Sequence, residues 1–239
     1  LPDIVGVVAM LSTENILHTP REKRDRALAA RRKFVSHTGD HITFLNIIKA
    51  YRAAAGSGER AATTWCFNHF VNGRAMKQAA EVEQQLRVVT QRALTAAAAA
   101  SSSSSIISRK RSHAGADLAG KPNLNSAEKP NLNSATVEIG ALSAEPVASD
   151  EAAEGILRCL LAGLFQNTAV LQQDGTYRTA VTKQVVYIHP SSVLFGKNPP
   201  AVMYSEVVKT TKHYMRTVSE IQLPWLLDAS PAYFGRLRR

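Results

Sequence analysis

The sequence contains few cysteines and no long apolar run, and these two absences exclude several classes of protein. Only Cys66 and Cys159 occur among its 239 residues, each within an apolar segment. Two distant cysteines provide neither a disulfide framework nor metal-ligand spacing, so we expect a reducing compartment. The best candidate membrane segment, ILRCLLAGLF, is interrupted by Arg158 and is shorter than the roughly 20 residues that cross a bilayer. The composition therefore predicts a soluble globular protein without a membrane partner.

Acidic residues are also scarce. The chain has 19 Asp and Glu against 29 Lys and Arg, which gives a formal net charge of +10. The basic excess lies in both ends of the chain and vanishes between them. Such basicity predicts a polyanionic partner such as nucleic acid. Because the chain begins Leu1-Pro2-Asp3 rather than with methionine, we interpret it as a piece of a longer protein.

Residues 96–150 lack the apolar side chains that a core requires. They begin with AAAAASSSSS and repeat KPNLNSA at Lys121–Ala127 and Lys129–Ala135. This composition predicts a disordered insertion, with the alanine run extending the preceding helix. Its GADLAGKP stretch, Gly115–Pro122, matches a phosphate-binding loop only in part, because Pro122 replaces the metal-binding hydroxyl. Neither a strand nor a helix flanks the stretch, so we interpret the match as chance.

Residues 1–95 show helical periodicity and helix-start signals, which predict a bundle of four or five helices. Thr19 precedes Pro20 and a glutamate in a capping-box arrangement. Asp40 can cap the helix HITFLNIIKAY, and Asn72 precedes the long pattern RAMKQAAEVEQQLRVVTQRAL.

Residues 151–239 change from helical to strand periodicity. We predict a helix over Glu151–Leu171 and a turn at Asp174-Gly175. Short runs rich in β-branched and aromatic residues follow, namely TYRTAV, QVVYIH, AVMYSEVV and HYMRTVSEI. These runs predict a small OB-like β-barrel. The expected fold class is thus α+β, with a helical domain at 1–95, an insertion at 96–150 and a barrel domain at 151–239.

The stretch VVYIHPSSVLFG, Val185–Gly196, ends an apolar strand in a His-Pro-Ser-Ser sequence. His189 beside Ser191 and Ser192 has the composition of a nucleophile and its base. A turn explains the same residues, because Pro190 cannot continue a central strand and serines bond readily to nearby backbone. We favour the turn.

Six motifs, in this order and spacing, resemble the C-terminal region of DEAH-box RNA helicases. They are VVAMLSTENIL, RRKFVSHTGDHITFLNI, WCFNHFVNGRAMKQA, DGTYRT, YIHPSSVLFG and VVKTTKHYMR. The resemblance covers nearly everything outside residues 96–150. ILH at Ile16–His18, the EV…QL of Glu81–Leu86 and the PAYF ending are nearer to the nucleolar, ribosome-linked branch. Two features depart from the family: the insertion is longer than its usual connector, and Glu83 stands where many members carry arginine.

The resemblance implies a ratchet-like helical domain and an OB-like barrel that guide single-stranded RNA and couple it to an ATP-driven motor. Its implied partners are RNA, upstream RecA-like and winged-helix domains, and helicase-activating proteins. The implied location is nuclear, with the nucleolus and the cytoplasm left open. ATP and magnesium are expected only in the upstream domains, because this chain lacks the motifs that hold them. We therefore expect no cofactor and no ATPase activity in the chain alone. A stand-alone RNA-binding module or a protein-interaction module is the alternative.

The barrel contributes most of the expected RNA contacts. The HPSS turn offers His189, Ser191 and Ser192, and the next strands offer a positive and aromatic surface. Its members are Lys209, Lys212, Tyr214 and Arg216. Cations, hydroxyls and aromatic faces can bind phosphates and bases without reading sequence. A tyrosine in a barrel strand is equally typical of the core, so both roles stay open for Tyr214.

The helical half offers a second candidate track. Arg74, Lys77 and Gln78 share one face of the long helix, although a solvated face explains them equally well. The helix that begins near Gly39 could place free amide groups at a phosphate. Asp40 alone explains that helix start, and it would repel a phosphate. We expect the aromatic rings of WCFNHF, Trp65 and Phe70, in the core.

Overall fold

The computed structural model describes residues 2–109 and 149–234. The α-helices are Pro2–Leu11 (α1), Arg24–Arg31 (α2), Asp40–Gly56 (α3), Glu59–Asn68 (α4), Gly73–Arg109 (α5), Asp150–Leu164 (α6), Leu223–Ala229 (α7) and Pro231–Phe234 (α8). The strands are Thr168–Leu171 (β1), Tyr177–Thr179 (β2), Val185–Ile188 (β3), Ala201–Lys209 (β4) and His213–Glu220 (β5). Short 3-10 turns at Arg21–Lys23 and Arg32–Phe34 flank α2. Among the described helices, none has the length and hydropathy that a membrane span requires.

The strands form a closed barrel in the order β1-β2-β3-β5-β4. Every neighbouring pair is antiparallel except β3 and β5, which run parallel. Successive side chains of a strand point to opposite faces, and Val186, Ile188 and Met215 are among those that fill the barrel interior. A helical part followed by a five-stranded OB-like barrel confirms the predicted α+β class.

A second apolar cluster joins the helical part to the barrel. It contains Met10 of α1, Leu45 of α3, Leu161 of α6, Met203 of β4 and Trp225 of α7, all buried. The described residues up to Val88 and from 149 onward accordingly form one compact unit. Shared burial of this kind couples the stability of the two parts.

The predicted insertion lies only partly within the described residues. Helix α5 continues past residue 95 to Arg109, and its portion from Val89 onward belongs to a second unit. Both KPNLNSA repeats and the GADLAGKP stretch lie outside the described residues.

Three local predictions can be compared with the observed helix ends. Asn72 does cap α5, because its Oδ1 accepts hydrogen bonds from the N–H groups of the second and third residues that follow, at 3.1 and 3.3 Å. Thr19 is not a helix cap; its hydroxyl accepts a bond from Arg31 at 2.6 Å, and the first helical turn begins at Arg21. The helix predicted to reach Leu171 ends at Leu164, and Thr168–Leu171 forms β1.

Asp40 binds the barrel and does not cap its own helix, contrary to the prediction from the sequence. Its two carboxylate oxygens accept hydrogen bonds from the N–H groups of Val193, at 2.9 Å, and Val218, at 2.7 Å. The carboxylate is buried, and burial raises its pKa although these hydrogen bonds oppose the shift. Asp40 thus ties the start of α3 to two separate segments of the barrel.

The residues on either side of Asp40 complete this junction. Gly39 pairs with Ser219 of β5 and has φ 133, and a Cβ there would lie 2.5 Å from the Ser219 Cα. Only glycine suits both that backbone conformation and that close approach. His41 is fully buried, and its Nδ1 and Nε2 lie 2.8 and 3.2 Å from the hydroxyls of Ser219 and Ser205.

Glu83 of α5 provides a charged link inside the helical part. The carboxylate is buried, makes a bidentate contact with Arg52 of α3, and accepts a bond from Arg87 at 2.7 Å. A buried carboxylate is tolerated when cations and hydrogen bonds satisfy it. An arginine in place of Glu83 would face the like charges of Arg52 and Arg87. Glutamate pairs with both, so these two arginines accommodate the departure from the family pattern.

We predict that Asp40→Ala destabilises the protein by about 2 to 5 kcal/mol, because two buried N–H groups would lose their acceptor. Urea unfolding followed by tryptophan fluorescence measures the change. Asp3→Ala provides the control, since Asp3 only pairs with Lys49 at 2.8 Å in a partly exposed position. That change should cost less than about 1 kcal/mol. An Asp40→Ala variant as stable as the control variant would contradict the assigned role of Asp40.

The lowered pKa of buried His41 leads us to predict that the stability of the protein depends on pH. Burial lowers its pKa from 6.5 to about 4. The unfolded chain therefore takes up a proton at higher pH than the folded chain, so the contribution of His41 to stability is complete well above pH 6.5 and falls as the pH drops through 6.5 towards 4. The loss should be on the order of 3 kcal/mol. The raised pKa of Asp40 acts in the opposite direction at the acid end.

The free energy of urea unfolding, measured across this pH range, checks the effect. A His41→Asn variant should lose most of the pH dependence, because asparagine does not titrate. Equal pH profiles for the two proteins would show that His41 is not the group responsible.

Candidate nucleic-acid interface

The parallel pairing of β3 with β5 places aromatic side chains side by side on the outside of the barrel. Tyr187 pairs with Tyr214 in register, and the next pair, Ile188 and Met215, points into the interior. The two tyrosine rings are half-buried and their centroids lie 6.2 Å apart. The His189 ring meets Tyr214 edge-on at 5.8 Å. We call Tyr187, Tyr214 and His189 the aromatic row.

Two lysines lie at one end of the aromatic row. Lys209 and Lys212 flank the turn between β4 and β5, and both are exposed. The ammonium group of Lys212 lies 4.4 Å from the centroid of the Tyr187 ring, within cation–π distance. Aromatic faces and positive charge therefore occur together on this surface, which we call the β3–β5 rim.

Arg216 belongs to the same surface, but its charge is partly balanced. It lies two residues after Tyr214 on β5, and its guanidinium contacts Glu206 of β4 at 3.3 Å. The two residues are directly opposite in the strand register, and both side chains are about half exposed. A phosphate at Arg216 would have to compete with this carboxylate.

The HPSS sequence forms a turn, the structure that the sequence favours. The Ser192 N–H donates to the His189 carbonyl at 3.0 Å, and His189 is itself held by donating its backbone N–H to Met215 at 3.0 Å. The His189 Nδ1 accepts the Ser191 N–H at 3.1 Å, which places the ring proton on Nε2. Burial and the nearby Arg216 charge lower the pKa of His189, so the ring is neutral at physiological pH.

The two serines of the turn have different surroundings. Ser191 is exposed, and its hydroxyl lies 2.7 Å from the His189 Nδ1. Ser192 is buried, and its hydroxyl accepts a bond from Leu194 at 3.2 Å and contacts Asp40. The prediction of Ser192 as an RNA contact is therefore wrong: its hydroxyl lies within the junction between α3 and the barrel.

The RNA contacts predicted for the helical half lie on the first turns of α5, more than 100 residues before the β3–β5 rim in the sequence. Arg74, Lys77 and Gln78 are all exposed. Lys77 contacts Glu59 of α4 at 3.2 Å, so part of its charge is balanced. Within the described part of the chain, no hydrogen bond, ion pair or ring contact connects these three residues to the aromatic row. The start of α3 is covered by β5 and holds Asp40, which excludes it as a phosphate site.

Trp65 of WCFNHF is partly buried and packs against the core, close to the predicted position. Its ring packs against Phe34 at 5.6 Å and Tyr51 at 6.0 Å. Phe70 is only half-buried and lines a groove in the helical part.

Sequence reasoning missed two residues of the rim. Tyr187 could have been found from strand alternation, because VVYIH places it on the same face as His189. Glu206 could not, since its contact with Arg216 depends on the register of β4 with β5. Within the described part of the chain, no group of three His, Cys, Asp or Glu residues could hold a metal ion. The rim thus combines aromatic faces with exposed positive charge.

Comparisons with known proteins agree with this barrel. Residues 156–233 match a family profile described as an oligonucleotide/oligosaccharide-binding (OB) fold. The chain is 34% identical over 238 residues to ATP-dependent RNA helicase DHX33 of Homo sapiens, which covers 99% of this chain and 26% of that protein.

Two further relatives extend the similarity. Identity is 29% over 233 residues with the probable ATP-dependent RNA helicase DHX35 of Homo sapiens, covering 97% of this chain and 26% of the relative. It is 30% over 234 residues with the pre-mRNA-splicing factor ATP-dependent RNA helicase prp22 of Schizosaccharomyces pombe, covering 97% and 15%. The chain thus spans about a quarter or less of the length of these relatives. In its sequence and its barrel, the chain is thus similar to the C-terminal OB-fold region of DEAH-box RNA helicases.

Proposed function

We propose that this chain guides single-stranded RNA across the β3–β5 rim and couples that RNA to an ATP-driven motor located elsewhere in the whole protein. The observation that carries the proposal is the aromatic row, Tyr187, Tyr214 and His189, flanked by Lys209 and Lys212. Bases can stack on aromatic faces while lysines neutralise the phosphates. Neither contact reads sequence, which suits a protein that moves along RNA.

The shared core supports the coupling part of the proposal. Met203 of β4 and Leu45 of α3 are buried in one cluster, and Asp40 binds two barrel segments. A displacement of the helical part would therefore carry the barrel and its RNA with it. The expected partners for that motion are RecA-like and winged-helix domains of the same protein, together with helicase-activating proteins.

We place the binding and hydrolysis of ATP in other domains of the whole protein. ATP and magnesium would be held by the RecA-like domains, because no residue pattern here positions a phosphate chain with its metal. The names of the relatives point to RNA processing in the nucleus. The ILH, EV…QL and PAYF sequences favour the ribosome-linked branch and hence the nucleolus.

Two other functions make different predictions. A stand-alone RNA-binding module would bind RNA as well without any motor domain. A protein-interaction module with incidental basicity would bind its partner with little dependence on salt. The proposed RNA path instead requires counterion release at the rim, so salt dependence separates it from the protein-interaction function.

We predict that replacing Lys209 and Lys212 with alanine weakens binding of oligouridine and reduces the slope of log K against log salt by about 0.7 for each phosphate that is no longer neutralised. Arg216→Ala should change the slope less, because Glu206 already balances part of its charge. Tyr214→Ala should cost about 1 to 3 kcal/mol of binding free energy without changing the slope. Fluorescence anisotropy over a series of salt concentrations measures all of these effects.

Arg60→Ala provides the matched control, because Arg60 is an exposed cation on α4. It should leave both affinity and slope unchanged. Thermal unfolding of each variant verifies that the half-buried Tyr214 is not simply needed for folding. Folded rim variants with the affinity and slope of the wild type would exclude this rim as the RNA path.

A further inference from the structure

A groove in the helical part, remote in sequence from the rim, is not used by the proposed RNA path. It has a volume of about 750 Å³ and lies between the segment that precedes α2 and the end of α4. Its lining combines apolar side chains with Asn15, Asn68 and Asn72, and it has a basic edge. We call it the α2–α4 groove, and the residues that define it are Leu17, His18, Lys23, Arg26, Phe67 and Phe70.

Backbone pairing holds the two walls of the groove together. Leu17 pairs with Val71, the His18 N–H donates to Phe70 at 3.0 Å, and the Asn72 N–H donates to Ile16 at 2.8 Å. Phe70 has φ 54, a left-handed conformation that bulky residues rarely adopt. Strained backbone of this kind persists where the surrounding structure fixes it, and it is concentrated at functional sites.

The aromatic residue at the mouth of the groove is unusually exposed. Phe67 lies near the end of α4 with 82% of its surface accessible, and Leu17 beside it is 37% exposed. The floor is formed in part by buried Cys66 and Val71. An exposed phenylalanine over an apolar floor is typical of a surface that another chain covers.

The edge of the groove carries an excess of positive charge. Lys23 and Arg26 are exposed, and neither forms a salt bridge with another described residue. No acidic side chain is found among the described residues that line the groove. On the exposed segment that contains Lys23 and Arg26, residues 21–26, four basic residues outnumber the two acidic residues, Glu22 and Asp25, so the local potential is positive.

We propose that the α2–α4 groove binds an acidic amphipathic segment of a partner protein. Its apolar side chains would cover Phe67 and enter the groove, and its carboxylates would meet Lys23 and Arg26. Charge complementarity selects an acidic occupant, and the apolar floor selects one that also carries leucine or phenylalanine.

The same observations disfavour RNA as the occupant. The backbone N–H groups of His18, Val71 and Asn72 are already used within the protein, and the Asn72 Oδ1 caps α5. The side-chain amides of Asn15 and Asn68 remain among the polar groups of the lining, and the apolar floor of Cys66 and Val71 does not stabilise a phosphate. This proposal is independent of the RNA path on the barrel.

Fluorescence anisotropy with a labelled model peptide tests the proposal on the full chain. The peptide carries leucines at i, i+3, i+4 and i+7 with Asp and Glu between them. We expect Phe67→Ser to weaken binding by about tenfold or more. Lys23→Glu combined with Arg26→Glu should weaken it by at least about fivefold. All three residues are exposed, so these variants should fold, and thermal unfolding verifies this.

Three controls make the outcome specific. The Lys23→Glu, Arg26→Glu variant should recover binding when the acidic residues of the peptide are replaced by lysine. Arg60→Glu, a charge reversal on α4 outside the groove, should leave binding unchanged, and a peptide with serines in place of leucines should not bind.

Two results would overturn the proposal. Peptide affinity that is indifferent to both sets of groove substitutions would show that no acidic segment docks there. Displacement of the peptide from the wild-type chain by oligouridine, together with oligouridine binding that is weakened in the groove variants but kept in the Lys209→Ala, Lys212→Ala variant, would instead make the groove a nucleic-acid site.

Discussion

The carboxylate of Asp40 joins the two halves of this protein. It is buried and accepts two backbone hydrogen bonds, one from Val193 after the HPSS turn and one from Val218 in β5. Burying a carboxylate is costly unless such bonds satisfy it, which makes the geometry of both donors a condition for stability. Gly39 permits the approach to β5, and neutral His41 fills the space between the hydroxyls of Ser219 and Ser205. The position of the turn relative to β5 therefore depends on a residue of the helical part.

That constraint also positions the candidate RNA surface. The aromatic row is formed by β3, by β5 and by the first residue of the HPSS turn, and Asp40 binds β5 and the segment that follows the turn. Ser191 and His189 face the rim, while Ser192, one residue further, faces the junction. A single turn thus contributes to two surfaces, the β3–β5 rim and the contact with the neighbouring helices. Under the proposed function, this arrangement gives a physical route by which movement of the helices would displace RNA on the rim.

Sequence patterns predicted the features that arise from local chemistry. Alternating apolar residues gave four of the five strands, and Asn72 was identified as a cap because it bonds to its own helix. The strand at Thr168–Leu171 was missed because its apolar residues continue the apolar pattern of α6. No glycine or proline between the two elements signals that the helix ends. The roles of Asp40 and Ser192 depend on partners more than 150 positions away in the sequence, at Val193 and Val218 for Asp40. Local spacing carries no information about such contacts, and it likewise could not reveal the pairing of Glu206 with Arg216.

Photo-crosslinking tests the location of the RNA path most directly. Single-stranded RNA containing 4-thiouridine would be bound to the protein, irradiated, and the crosslinked peptides identified by mass spectrometry. The account predicts that crosslinks concentrate on Tyr187, His189 and the segment Lys209–Arg216, and that they disappear when excess oligouridine is added. Crosslinks confined to α5 or to the α2–α4 groove, with none on β3 or β5, would contradict it.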